Sequence, residues 1–304
     1  MKKLIDYSPE VKKALKLNRP IVALESTIIS HGMPYPENLK TAKLIEDIIR
    51  KEKATPATMA IINGRIKIGL TETELEILAK EKDVIKASRR DIPYLVSMKK
   101  NGATTVSATM ILASLAKIPV FVTGGIGGVH RGVDETMDIS ADLIELAQTN
   151  VAVVCAGAKS VLDLPRTLEF LETHGVPVIG YNTDELPAFY TRESGLKVDY
   201  NLATAKDIAN LIHTKWDLGL KGGLVIANPI PREDALESKY IHDIIKKALD
   251  EARKNGIQGK EVTPFLLSKL KHLTDGKSLV ANIALIKNNA QLGAKIAVEY
   301  TKLL

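Results

Sequence analysis

Residues 151–160 read Val-Ala-Val-Val-Cys-Ala-Gly-Ala-Lys-Ser, a short apolar run of strand type that ends in glycine and delivers Lys159 into a turn of small residues. The carboxyl ends of strands in α/β sheets open onto the ligand crevice. An amine held there can act as a nucleophile when apolar surroundings or a second cation favour its neutral form. The plainer alternative is a solvated lysine just past a strand. Which of the two holds depends on the residues around it.

Short β-rich runs alternate with helical patterns along the rest of the chain, as in a layered α/β sheet. The predicted strands span 21–24, 58–62, 65–69, 83–87, 120–123, 151–156, 176–181 and 224–227. Asn63-Gly64 lies between two of them and supplies the residues that a two-residue hairpin turn requires. The sequence therefore predicts an α/β fold with a mixed sheet.

The predicted helices have recognisable starts and stops. They span 38–53, 164–174, 233–254 and 278–300, and another begins at Thr263-Pro264. Thr71-Glu-Thr-Glu is a capping box that starts one more. Because the sequence contains no internal repeat, low-complexity stretch or Gly/Ser linker, we expect one domain over 1–304.

Composition limits the classes of function. The 42 Lys and Arg against 36 Asp and Glu give a net charge of +6, and these charges are interspersed instead of forming the basic face typical of nucleic-acid binding. Cys155 is the only cysteine, which excludes a disulfide framework and fits a reducing compartment. No apolar run approaches the ~20 residues of a membrane span, and the first residues lack a signal-peptide pattern. We expect a cytoplasmic protein that binds neither nucleic acid nor membrane.

Ionisable and polar residues stand at the ends of several apolar runs. Glu25 ends the first predicted strand, Lys86 lies at the end of the fourth, and Asn228 follows the last. An unpaired buried charge is strongly disfavoured, so such residues are either paired or functional. One of them alone would be read as a structural ion pair, but several at successive strand ends indicate a site.

A glycine cluster follows the fifth predicted strand, in residues 123–132, Thr-Gly-Gly-Ile-Gly-Gly-Val-His-Arg-Gly. It lacks the Gly-Lys-Ser/Thr of a Walker A loop, so a tight structural turn and an anion-binding loop are both open. Downstream, Asp138 and Asp142 lie four residues apart, on one face if the segment is helical. Their hard oxygen atoms suit Mg²⁺ or Mn²⁺, whereas an acidic helix start is the plainer interpretation.

Several motifs resemble those of one known family. They are Ala-Leu-Glu-Ser-Thr-Ile-Ile-Ser-His-Gly-Met-Pro-Tyr-Pro from Ala23, Ala-Ser-Arg-Arg-Asp from Ala87, Gly-Ala-Thr-Thr-Val-Ser-Ala-Thr-Met from Gly102, Val-Thr-Gly-Gly-Ile-Gly-Gly-Val-His-Arg-Gly from Val122, Asp-Ile-Ser-Ala-Asp from Asp138, Cys-Ala-Gly-Ala-Lys-Ser from Cys155 and Ala-Asn-Pro-Ile-Pro from Ala227. In this order, over nearly all of the chain, they resemble the pseudouridine-5′-phosphate glycosidase family, also called the indigoidine synthase A-like family. The resemblance implies a three-layer α/β/α sandwich around a mixed, mostly parallel sheet, and a homotrimer with one Mn²⁺ per subunit.

The same resemblance implies an activity and its residues. The reaction is the reversible cleavage of the C–C glycosidic bond of pseudouridine 5′-phosphate to uracil and ribose 5-phosphate. In the matched positions, Glu25 opens the ribose ring as an acid, Lys159 forms a covalent imine with the ring-opened ribose, and Asp138 binds Mn²⁺. The positions matched to substrate binding, or placed beside the phosphate, are Lys86, Thr105, Val106, His130, Ser140, Ala141, Asp142 and Asn282.

Two other classes of function compete with this one. A sugar kinase of the ribokinase type would share the α/β layers, but the sequence has neither a Gly-Ala-Gly-Asp turn nor an ATP phosphate motif, and consumption of ATP would identify it. An RNA-binding module would account for the positive charge, and it would show RNA binding that falls steeply with salt.

Overall fold

The structure is a computed structural model that describes residues 4–257 and 261–304. One 11-stranded sheet runs through it. Its strands are β1 Ile5–Tyr7, β2 Ile21–Leu24, β3 Thr55–Ile62, β4 Arg65–Ile68, β5 Ile85–Ala87, β6 Gly102–Thr104, β7 Val120–Val122, β8 Ala152–Cys155, β9 Val178–Tyr181, β10 Tyr200–Leu202 and β11 Leu224–Ala227.

Helices connect most of these strands. They are α1 Pro9–Lys16, α2 Glu37–Lys51, α3 Glu72–Lys80, α4 Ile92–Ser97, α5 Val106–Leu115, α6 Val133–Thr136, α7 Ala141–Gln148, α8 Leu164–Thr173, α9 Ala205–Asp217, α10 Ser238–Lys254, α11 Val262–Leu273 and α12 Lys277–Thr301. The predicted capping box at Thr71 is confirmed, because its side chain accepts from the backbone N–H of Glu74 and the Glu74 carboxylate accepts from the backbone N–H of Thr71.

The sheet is mixed and mostly parallel, as predicted. Its main order is β1-β4-β3-β2-β7-β8-β11-β9-β10, with β5 and β6 joined at β3. Antiparallel pairing is found where β3 meets β4 and β6. The β3–β4 turn is the predicted hairpin, since Asn63 and Gly64 both have positive φ angles, 49° and 73°.

The order of the strands creates a crevice between β2 and β7. The chain leaves β2 for β3 on one side, and leaves β7 for β8 on the other. Right-handed crossovers in opposite directions place α2 and α7 on opposite faces of the sheet, which gives the three-layer arrangement. The long helix α12 packs beside α2 and α9, while α5 packs against α7. Adjacent strands whose connections diverge mark the point where α/β sheets bind ligands.

Several elements differ from prediction, among them three short strands and the bounds of most predicted strands and helices; β3, for example, begins at Thr55 and not at residue 58. β1, β6 and β10 were not predicted, because three residues are too few for an alternating pattern to stand out. The helix predicted over 233–254 begins at Ser238, where the Glu237 carboxylate accepts from the backbone N–H groups of Lys239 and Tyr240. The segment from Asp138 to Asp142 is not one helix, because α6 ends at Thr136, Met137 after it is left-handed, and Ser140 caps α7.

The described helices also bear on membrane association. Within residues 4–257 and 261–304, none is both long and apolar enough to cross a bilayer. Residues 1–3, the start of the segment without a signal-peptide pattern, lie outside the described residues.

Candidate active site

The carboxyl ends of β2, β7 and β8 meet at the crevice. Leu24 pairs with Val122, and Val122 pairs with Val154, so the residues that follow these strands are brought side by side. Glu25 and Thr123 are therefore neighbours across the β2–β7 boundary.

Glu25 is held by two hydroxyl groups. The Thr123 hydroxyl donates to its Oε1 and the Thr27 hydroxyl donates to its Oε2. Glu25 is only 9% exposed and Thr123 is fully buried. Because each oxygen accepts a hydrogen bond, the side chain has one fixed orientation, with its carboxylate facing the crevice.

Lys159 is fixed by the glycine cluster that follows β7. Its backbone N–H donates to the Ile126 carbonyl at 3.1 Å, and the Ile126 N–H donates to the Gly157 carbonyl at 3.1 Å. Gly157 has a φ of +83°, and a Cβ there would collide with the Pro187 carbonyl. The turn between β8 and Lys159 thus requires glycine.

Buried side-chain amides hold the start of the glycine cluster in place. Asn289 on α12 donates from Nδ2 to the Thr123 carbonyl at 2.9 Å and accepts at Oδ1 from Asn228 Nδ2 at 3.0 Å. Asn228, which the sequence placed at a strand end, therefore supports the site instead of lining a described cavity.

Lys86 in β5 enters the same space. Burial first, and the charge of Lys159 second, lower the pKa of Lys86 to about 8, against the opposing effect of nearby carboxylates such as Asp142 and Glu25. Two ammonium groups thus lie near each other in one cleft, together with the Glu25 carboxylate.

A cavity of about 440 Å³ opens on one side of these three residues. All the predicted site residues except Asn282 line it. They are Glu25, Lys86, Thr105, Val106, His130, Asp138, Ser140, Ala141, Asp142 and Lys159. Arg89 and Arg90 also line it, so four cationic side chains face three carboxylates, and we call this space the cationic cavity.

Two helix N-termini point toward this cavity. Thr105 caps α5 and Ser140 caps α7 through their side-chain oxygens. Asp142 joins them, since its Oδ1 accepts from the Ser107 N–H at 2.9 Å and its Oδ2 accepts from the Gly127 N–H at 2.8 Å. Helix N-termini attract anions, so this wall suits a phosphate group. Both Asp142 oxygens already accept hydrogen bonds from backbone N–H groups.

Asp138 lies between α6 and α7, beside His130. Its Oδ2 is 3.8 Å from His130 Nδ1. Burial lowers the pKa of His130, and Lys159 and Lys86 act in the same direction, whereas Asp138 opposes them. In the described part of the chain no three His, Cys, Asp or Glu side chains converge as a metal site. One carboxylate is nevertheless enough where a divalent ion keeps several waters and binds substrate phosphate.

Asn282 lies on the other side of Glu25, Lys86 and Lys159. It lines a narrow cleft of about 50 Å³ together with Glu25, Lys86 and Lys159. The side chain is 6% exposed, and its Oδ1 has no hydrogen-bond partner among the described residues. A buried acceptor of this kind is suited to a ligand N–H.

Sequence reasoning missed several residues of the site. Thr27 and Thr123 orient Glu25, and Phe189 lines the narrow cleft. Arg89 forms a bidentate ion pair with the buried Glu145, at 2.8 and 2.9 Å, which joins the segment after β5 to α7. Thr27 could have been predicted, because its hydroxyl lies only two residues after Glu25. Thr123 could not, because it becomes a neighbour of Glu25 only through the pairing of β2 with β7.

Comparison with known proteins places the chain among close relatives. The family model described as indigoidine synthase A like protein matches residues 10–299. The pseudouridine-5′-phosphate glycosidase of Caldanaerobacter subterraneus is 65% identical over 303 residues, covering 100% of this chain and 99% of the relative. The protein of the same name from Geobacillus kaustophilus is 66% identical over 299 residues, covering 98% and 99%.

Two solved structures share the fold. The prealnumycin C-glycosynthase in complex with ribulose 5-phosphate aligns with a TM-score of 0.91 at 36% identity, over 99% of this chain and 98% of that one. An indigoidine synthase A-like protein from Thermotoga maritima aligns with a TM-score of 0.89 at 35% identity, over 98% and 97%.

Proposed function

Because the chain belongs to the indigoidine synthase A-like protein family, we propose that it is a pseudouridine-5′-phosphate glycosidase. The reaction is the reversible conversion of pseudouridine 5′-phosphate and water to uracil and ribose 5-phosphate. The names of its relatives support this assignment. The observation that carries it is the position of Glu25 and Lys159 between a cationic cavity and a narrow cleft, which matches a substrate with a phosphate at one end and a base at the other.

The scissile bond explains why an amine is needed. It joins C1′ of the ribose to C5 of the base, so there is no oxygen or nitrogen leaving atom for a simple acid to protonate, as in ordinary glycoside hydrolysis. Glu25 donates a proton to the ring oxygen as the C1′–O bond breaks, and the Lys159 amine adds at C1′. The lysine nitrogen then expels the base, which takes a proton at C5. Water hydrolyses the remaining imine and releases ribose 5-phosphate.

The cavity and the narrow cleft bind different parts of the substrate. We assign the phosphate to the cationic side, at the α5 and α7 N-termini, with Lys86, Thr105, Val106 and His130 around it. Ser140, Ala141 and Asp142 form the second edge of that wall. The base lies in the narrow cleft, where the Asn282 amide faces it.

We also propose one Mn²⁺ per subunit, which the Asp138 carboxylate would hold. The oxygen donor fits a hard divalent ion. When bound, the ion neutralises part of the phosphate charge. The neighbouring His130 keeps an uncharged ring beside it, because burial lowers its pKa. A homotrimeric assembly and a cytoplasmic location complete the proposal. The family resemblance supports the first, and the single buried Cys155 fits the second.

The assay of uracil release from pseudouridine 5′-phosphate, with and without Mn²⁺, tests this function. We expect release together with an equal amount of ribose 5-phosphate, and no consumption of ATP. Absence of uracil release at any Mn²⁺ concentration would contradict the assignment. Light scattering of the purified chain tests the trimer.

A further inference from the structure

A second chamber, of about 320 Å³, adjoins the narrow cleft that holds Glu25 and Lys159. The residues lining both spaces are His31, Gly32, Pro264, Leu267 and Asn282. None of the described residues lines both this chamber and the cationic cavity. The cleft therefore lies between the two larger spaces, and the chamber extends it away from the phosphate wall.

Three segments enclose the chamber. One wall is the end of the π-helix Ile28–Gly32 with Met33 after it, and the facing wall is α11 with the start of α12, including Leu279. Single π-helical turns are rare in proteins, and those that occur are often found at functional sites. Met33, Leu267 and Leu279 form an apolar part of the lining. The rest of the lining is mixed, and its polar members are Ser30, His31, Tyr190, Ser268, Lys271, Ser278 and Asn282.

Asn282 marks the boundary between the cleft and the chamber. It lines both, and its buried Oδ1 accepts no hydrogen bond from any described residue. Buried acceptors in proteins are nearly always satisfied. A base whose ring N–H reaches Asn282 has its outer edge at the entrance to the chamber.

We propose that this chamber is a subsite for a substituent on the base, so that the substrate class includes pseudouridine 5′-phosphates that carry an apolar group on a ring nitrogen. This inference rests on the proposed function. C5 of the base bears the bond to the sugar, so N1 and N3 lie on the far side of the ring. A group on the nitrogen that does not donate to Asn282 extends past the cleft, leaves that hydrogen bond in place and takes no part in cleavage of the C1′–C5 bond.

Kinetics with substituted substrates provide the test. Base release by the full chain is measured for pseudouridine 5′-phosphate and for its N1-benzyl and N3-benzyl derivatives. For one derivative we expect kcat/KM within about tenfold of the parent value, because the chamber has room for the benzyl group and offers it the side chains of Met33, Leu267 and Leu279. Values more than about tenfold below the parent for both derivatives would overturn the proposal.

A matched pair of variants locates the effect. Leu279→Trp fills the chamber, whereas Val280→Trp adds the same side chain at the next position, which is 63% exposed and does not line it. We expect the ratio of kcat/KM for the accepted derivative over the parent to fall about tenfold or more in Leu279→Trp, and to stay unchanged in Val280→Trp. An unchanged ratio in Leu279→Trp would overturn the proposal.

Leu279→Ala gives a second test should the tryptophan variant fail to fold. It widens the chamber, so the same ratio should rise for a bulkier naphthylmethyl derivative, and an unchanged ratio would count against the subsite. Failure of the proposed function is distinct, because it would abolish release of uracil from the unsubstituted substrate as well.

Discussion

Glu25, Lys86 and Lys159 place two lysine amines and one carboxyl group in a single cleft. Their environments differ in ways that suit different tasks. Two hydroxyl groups orient Glu25, burial lowers the pKa of Lys86, and a glycine turn fixes the backbone of Lys159. Each can therefore be tested by a substitution that changes one property at a time.

Glu25→Gln keeps the size of the side chain but removes its acidic proton. We expect kcat for uracil release to fall by ~10²–10⁴-fold, the usual contribution of a positioned general acid. The matched variant Glu37→Gln, at the first residue of α2, has an exposed side chain and should leave kcat as in wild type. A Glu25→Gln enzyme within about twofold of wild type would mean that another group opens the ring.

Lys86 should make the KM for the substrate depend on pH. Its pKa is about 8, so it is charged below that pH and loses its charge as the pH rises through it. We expect KM for the anionic substrate to rise between about pH 7 and about pH 9. Lys86→Arg keeps its charge over this range and should abolish the rise. Identical KM profiles for the two proteins would contradict the role of Lys86 in binding the anion.

Asp138 should control the dependence on Mn²⁺. In Asp138→Asn the amide keeps the shape but loses the charge, so we expect Mn²⁺ binding, followed by electron paramagnetic resonance, to weaken by about tenfold or more. Asp134→Asn, on the exposed side of the same segment, serves as the control. Unchanged Mn²⁺ binding in Asp138→Asn, or full activity of that variant in excess chelator, would remove Asp138 from the metal site.

At the scale of elements, the site depends on how strand ends are brought together. The alternation of strands and helices and the Asn63-Gly64 hairpin could be predicted from sequence, because apolar runs and turn residues are local signals. The pairing of β2 with β7 could not, since the two strands are almost a hundred residues apart in the chain and only the sheet order makes Thr123 a neighbour of Glu25. For the same reason Asn228 was predicted at a strand end, but its partner Asn289 was not predicted at all.

Helix α12 should influence catalysis through Asn289. Asn289→Leu leaves the Thr123 carbonyl and the Asn228 amide without their partner, and we expect a loss of about 1–3 kcal/mol in the free energy of unfolding together with a lower kcat. Asn288→Leu removes a bond to the Pro229 carbonyl outside the site and should lower stability without changing kcat. Urea unfolding and uracil release measure the two effects. Equal kcat values for the two variants would show that α12 does not position the site.

At the scale of the whole molecule, the sheet places two spaces of different character on either side of one cleft. The cationic cavity gathers residues that the resemblance had named from well-separated parts of the sequence, from Glu25 to Lys159. Asn282 reaches the cleft from the last helix. One wall of the adjoining chamber, residues 30–34, lies within the first motif, but the chamber itself could not be predicted, because it is formed by packing of the π-helix against α11 and α12. Shape that arises from packing between distant elements is not readable from local patterns.

A covalent bond between Lys159 and the sugar can be trapped chemically. The protein is incubated with ribose 5-phosphate and borohydride, and the modified peptide is identified by mass spectrometry. We expect one stable adduct, on Lys159, and none in Lys159→Arg, because a guanidinium keeps the charge but does not release its proton to attack. An adduct on Lys86 or another lysine, or normal uracil release by Lys159→Arg, would contradict the imine mechanism.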